Sequence, residues 1–144
     1  MNTMNKNVTH TFCMLKSDIC NRNLIGRVLT MLEDNNFKIV KIESKQMPRI
    51  HVEEFYKDHK EKFFFVDMVT RLANSVVVGC ILERKDGKDP VVALRTLMGA
   101  TNPTNAEIGT IRHIFALSID DNSIHGSDSF ENVLRESEIF FNSK

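Results

Sequence analysis

The chain of 144 residues has the length of one domain, and its 42% hydrophobic and 26% charged residues are those of an ordinary globular protein. Nineteen Lys and Arg balance nineteen Asp and Glu, which excludes an affinity built on a strong positive field, such as general nucleic-acid binding. No stretch approaches the ~20 apolar residues of a membrane-spanning helix, and polar Met1 to His10 lacks the apolar core of a secretory signal. Three cysteines without a Cys-x-x-Cys pair read as reduced thiols, which implies a cytoplasmic protein. No linker or repeat divides the chain, so residues 1–144 are expected to form one domain, with 1–7 a loose tail.

Thr9 to Leu15 is short and rich in β-formers, a strand that breaks at Lys16-Ser17-Asp18. Leu24, Ile25, Val28, Leu29 and Leu32 recur at helical spacing and stop at Asn35-Asn36. Phe37 to Ile42 alternates apolar residues with lysines, as a half-wet strand does, and Met47-Pro48 ends it. His51 to Leu72 predicts two short helices interrupted near Lys60-Glu61-Lys62. Val76 to Leu82 is the most apolar run and reads as a buried strand; the Asp86-Gly87 turn follows, then a helix over Val91 to Met98. Gly99 to Arg112 reads as loop and Ile114 to Ser118 as a short strand. Phe130, Val133, Leu134, Ser137, Phe140 and Phe141 form a last helical stripe, with Asp128 and Glu131 spaced as a capping box. The order implies a mixed α/β domain.

The loops carry the chemistry. His125 lies in Asn122 to Ser129, which reads as a turn before a helix, where backbone N–H groups favour an anion. A neutral imidazole there is a nucleophile near neutral pH; taken alone, it is more often a solvated turn residue. Glu136, further along the helix, could orient that ring, but taken alone it is more readily a surface glutamate. Arg95, Thr101 and Arg112 surround Gly99 to Pro103 and have the donors that a di- or triphosphate requires. Lys16 follows the first strand within reach of phosphate or sugar, and Phe63-Phe64-Phe65 offers rings for stacking. No P-loop, dinucleotide fingerprint, nucleophile elbow or compact zinc spacing is present.

Asn122-x-x-His125-Gly-Ser-Asp-Ser129 resembles the signature of nucleoside diphosphate kinases. The resemblance runs from Thr11 to Phe141. It includes Thr11-Phe-x-x-Leu-Lys-x-Asp18, Glu54-x-Tyr56, Phe64-Phe65, Arg95-x-x-x-Gly-Ala-Thr-Asn-Pro103 and Gly109-Thr-Ile-Arg112. It implies a ferredoxin-like α+β sandwich, a four-stranded antiparallel sheet covered by helices. It also implies ping-pong transfer of the terminal phosphate of a nucleoside triphosphate to a nucleoside diphosphate, through a phosphohistidine. By position, His125 matches the nucleophile and Glu136 the acid that orients it. Lys16 and Asn122 match the groups on the sugar hydroxyls, with Lys16 also near the transferred phosphate. Arg95, Thr101, Arg112 and His59 match phosphate contacts; Phe64 matches the stacking aromatic, with Met68 on the other side of the base. Tyr56 and Ser127 match groups lining the histidine. The resemblance further implies Mg²⁺ carried on the phosphates rather than in a protein cage. The partners it implies are nucleotides and copies of the chain itself, a tetramer in preference to a hexamer, with neither membrane nor specific nucleic acid.

Some residues depart from the family pattern. Ser17 stands where proline is usual, Leu94 where glycine is common, His113-Ile114 where a small residue and aspartate are frequent, and Phe63 at a common proline position. None removes a reacting group. The competing readings are a catalytically weak nucleotide-binding or phosphohistidine-signalling module and an RNA-binding sheet. The intact reacting set opposes the first; neutral charge and a missing ribonucleoprotein motif oppose the second.

Overall fold

The computed structural model describes residues 9–142, so the expected loose tail lies outside the described residues. Strands β1 (His10–Leu15) and β3 (Val76–Glu83) pair antiparallel at the centre of the sheet. β2 (Lys38–Gln46) lies beside β3 and β4 (Ile124–Gly126) beside β1, giving the order β2-β3-β1-β4. This is the expected four-stranded antiparallel sheet. Alternation along β1 explains why both its faces are buried: Cys13 and Leu15 enter one core, Phe12 and Met14 the other.

The helices divide between those two cores. α2 (Ile25–Asp34) and α5 (Pro90–Met98) bury Val28, Leu32, Leu94 and Met98 against Val78, Cys80 and Leu82 of β3. On the opposite face, α3 (Arg49–Phe55), α4 (Phe65–Leu72) and α7 (Phe130–Asn142) bury Phe55, Val69, Val133 and Phe140 against Phe12, Met14 and Val77. Gly79 is required there, because any side chain at this position would overlap the Phe140 ring. Among the described residues, no helix is long and apolar enough to cross a membrane.

Several expectations need correction. A short helix, α1 (Ser17–Asn21), follows β1 where a polar break was expected. β2, an edge strand with Val40 and Ile42 exposed, runs to Gln46 and stops directly before Met47-Pro48, the end expected from the proline. Ile114 to Ser118 is not a strand. Thr110 accepts a bond from His113 N and caps the helix α6 (Ile111–Phe115), so its apolar residues follow helical rather than alternating geometry. The fourth strand is β4, which carries His125. Ser129, not Asp128, caps α7 by accepting from Asn132 N at 3.1 Å; the Asp128 carboxylate instead accepts from the Asn132 side chain at 2.6 Å.

Candidate active site

His125 therefore sits on a strand. Antiparallel pairing sets it opposite Met14, with Ile124 opposite Leu15. Ile124 enters one core, so alternation turns His125 to the other face, where α3 and α7 pack. Its Nε2 lies 2.8 Å from Glu136 Oε1, and Ser127 Oγ donates to the same oxygen at 2.6 Å. The Phe55 and Tyr56 rings meet the imidazole edge-on, with centroids 5.0 and 5.5 Å away.

The strand is also gripped from outside the sheet. Arg112 spreads three donors over backbone carbonyls: Nε to Asn122 at 3.2 Å, Nη1 to Gly99 at 2.9 Å and Nη2 to Ile124 at 2.7 Å. Arg95 Nη1 donates to Gly126 at 3.0 Å. These bonds hold the residues on both sides of His125. Arg95, Thr101 and Arg112 line, with Gly99 and Ala100, a cavity of about 400 Å³. Burial and the neighbouring Arg95 push the Arg112 guanidinium down to about 10, still charged at neutral pH.

Lys16 caps β1 and is buried; its Nζ donates to Asn122 Oδ1 at 3.0 Å. Burial pushes this ammonium down from 10.5 to about 8; Asp18 opposes that shift and Arg112 adds to it. Sequence reasoning missed what holds Asn122 in place. Ser123 takes the left-handed backbone region, φ 77°, and is fully buried. Asp18 accepts from Ser123 N at 3.2 Å and from Ser123 Oγ at 2.8 Å, while Lys16 N donates to Ser123 O at 2.9 Å. This clamp joins segments about a hundred residues apart, and no local spacing announces it.

A row of rings runs outward from the histidine. Tyr56 and His59 lie 6.4 Å apart between centroids, and His59 and Phe64 lie 5.8 Å apart. Among the described residues, none provides a hydrogen-bond partner for the buried His59 Nδ1. Burial beside Glu136 raises the Tyr56 phenol far above its ordinary value, so it stays protonated. Met68 follows Phe64 by one helical turn, with Met68 N bonded to Phe64 O at 3.0 Å. The two therefore share a helix face. Across from α4, Arg71 reaches Asp121 at 3.4 Å, and Asn122 Nδ2 holds Ile119 O at 3.1 Å. These bonds bring residues 119–122 beside the end of α4, a placement no motif marked.

Among the described residues, no group of three or more His, Cys, Asp or Glu is arranged to hold a metal. The cations near the site include Lys16, Arg95 and Arg112, and Glu136 Oε1 is occupied by His125 and Ser127. This donor set suits an anion, and a magnesium ion that arrives already bound to phosphate oxygens.

A family model for nucleoside diphosphate kinase matches residues 9–144. The nucleoside diphosphate kinase of Lawsonia intracellularis is 45% identical over 133 residues, covering 92% of this chain and 94% of that protein. The apo crystal structure of the Encephalitozoon cuniculi nucleoside diphosphate kinase superposes with a TM-score of 0.86 at 32% identity, over 93% of this chain and 89% of that one. The halophilic enzyme from Halobacterium salinarum, solved in complex with CDP, gives 0.85 at 34% identity, over 93% and 88%.

Proposed function

The chain belongs to the nucleoside diphosphate kinase family, and from that premise we propose that it moves the terminal phosphate of a nucleoside triphosphate to a nucleoside diphosphate through a phosphohistidine at His125. The observation that carries the residue assignment is the 2.8 Å bond between His125 Nε2 and Glu136 Oε1. A carboxylate only accepts, so Nε2 holds the ring proton and Nδ1 keeps its lone pair. Nδ1 attacks the terminal phosphorus; the N–P bond forms as the bridging P–O bond breaks, and the nucleoside diphosphate leaves. A second nucleoside diphosphate then attacks the same phosphorus through its terminal oxygen and frees the imidazole.

The transition state of such a transfer is loose, so catalysis is mainly positioning and charge. Glu136 stabilises the positive character the ring acquires, and Ser127 fixes the carboxylate oxygen that does so. Lys16, Arg95 and Arg112 neutralise the moving phosphoryl group, with Thr101 and His59 on the phosphates. Lys16 and Asn122 hold the sugar hydroxyls, and Tyr56 braces the imidazole. Phe64, continued by Met68, stacks on the base, a contact that every base offers. The CDP in the Halobacterium relative supports pyrimidine nucleotides as substrates. Magnesium bound to the phosphates, when present, neutralises their charge.

The protein acts in the cytoplasm and self-associates, as a tetramer in preference to a hexamer. The exposed Val40 and Ile42 on the β2 edge support self-association.

Incubation with radiolabelled ATP tests the reading. An acid-labile, base-stable phosphoprotein that GDP discharges is expected, and His125→Ala should abolish both steps. Substantial turnover in that variant would point to direct transfer or another histidine; a phosphoprotein that GDP leaves intact would point to a signalling module.

A further inference from the structure

Arg135 precedes Glu136 on α7 and takes no part in the reaction just described. Its guanidinium nevertheless joins the two walls of the site. Nη1 donates to Glu54 O at 3.2 Å and Phe55 O at 3.3 Å, at the C-terminal end of α3. Nε donates to Asn132 Oδ1 at 3.2 Å, one turn back on α7. Nη2 lies 3.6 Å from Asp58 Oδ2 and 3.6 Å from Glu136 Oε2.

We propose that Arg135 is a positioning residue for phosphoryl transfer, acting through Glu136 and through the Phe55–Tyr56 wall. This rests on the reading of His125 and Glu136 above. Glu136 has two oxygens with different tasks. Oε1 receives both His125 and Ser127, so any rotation of the carboxylate about its last bond breaks two bonds to the reacting side. Oε2 faces the Arg135 cation, which opposes that rotation. The same cation sits on the carbonyl end of α3, where positive charge is favourable. α3 ends in Phe55 and is followed by Tyr56, the rings that meet His125 edge-on. One planar fork thus fixes the imidazole's hydrogen-bond partner and its packing partners together. A lysine at this position would keep the charge but not the fork.

A strut that only holds α7 to α3 would contribute to stability and nothing else, so the test separates rate from stability. Pre-steady-state phosphorylation by ATP is measured beside equilibrium ADP binding and thermal unfolding. Arg135→Met, which keeps the apolar stem, is expected to slow phosphorylation by about 10-fold or more. ADP affinity should change less than about twofold, since no contact to nucleotide is lost. In Glu136→Gln the carboxylate is already compromised, so adding Arg135→Met should cost less than it does in the parent. Arg135→Lys is expected to show a rate between those of the parent and Arg135→Met, at temperatures where both variants are fully folded. If Arg135→Met does not fold, Arg135→Lys decides: a slowed rate supports the proposal and a parental rate overturns it. An unaltered rate in folded Arg135→Met, or full additivity with Glu136→Gln, also overturns it. Loss of rate in Glu136→Gln with none in the Arg135 variants would remove this proposal alone; an active His125→Ala would instead remove the reading beneath it.

Discussion

If Lys16 neutralises the transferred phosphoryl group as proposed, its titration should set the alkaline limit of the free enzyme. Its ammonium is buried beside Arg112, and its value falls from 10.5 to about 8 despite Asp18 nearby. The charge proposed to neutralise the phosphoryl group would therefore be lost unusually early. About one tenth of the free enzyme keeps that charge one pH unit above the shifted value, so kcat/KM for phosphorylation by ATP should fall about tenfold per unit beyond it. The limb in kcat should lie higher, because bound phosphate favours the charged form. Stability carries the opposite sign. The folded value lies below the unfolded one, so the cost of burying the charge, about 3 kcal/mol, is fully present below about 8 and is relieved as pH rises toward 10.5. The assay is stopped-flow phosphorylation between about pH 6.5 and about 9.5, at saturating magnesium, beside urea melts over the same range. Lys16→Arg should lower the rate yet remove the limb, since a guanidinium stays charged. The other downshifted cation, Arg112 at about 10, titrates too high to mimic it. A flat profile, or a limb that survives in Lys16→Arg, would refute the assignment.

Phe64→Ala should weaken ADP and CDP binding alike by about 1–3 kcal/mol, measured by calorimetry; loss confined to one base would reveal hydrogen-bond readout instead. Ser17 opens α1, and Lys16 before it has φ −84° and ψ 169°, the extended backbone that proline demands of its predecessor. Ser17→Pro should therefore raise stability by about 0.4–1 kcal/mol in urea melts, and a decrease would show that the Ser17 N–H matters. Gly79→Ala drives a methyl group into the Phe140 ring and should cost about 1–3 kcal/mol; an unchanged midpoint would show that the ring moves freely.

Much of the fold was legible because its signals are local. Val28 and Leu32 mark α2 by spacing, and the unbroken run from Val76 marks a strand buried on both faces. β4 gave no such signal. Three residues cannot display a period, and Ile124–Gly126 is a strand only because β1 pairs with it. Ile114 to Ser118 misled for the converse reason: a short apolar run fits either element, and Thr110 capping decides for helix. In the site, the residues alone left His125 and Glu136 as plausible solvated groups, and only the family resemblance joined them. Asp18, Ser123 and Arg135 stayed hidden, since their partners lie far away in sequence and their types are ordinary for a surface.

Donor counting at the two arginines limits how this chain can evolve. A guanidinium has five N–H donors. Arg112 commits one each to the carbonyls of Asn122, Gly99 and Ile124, while Arg95 commits one to Gly126. Each remaining donor available to phosphate therefore shares a rigid plane with donors that hold the nucleophile's own strand. On the proposed function, substitution at Arg112 would change phosphate affinity and unhook β4 together, so selection would see two losses for one replacement. Drift in substrate preference is then channelled to exposed Thr101 and half-buried Phe64, where a new side chain leaves β4 in place.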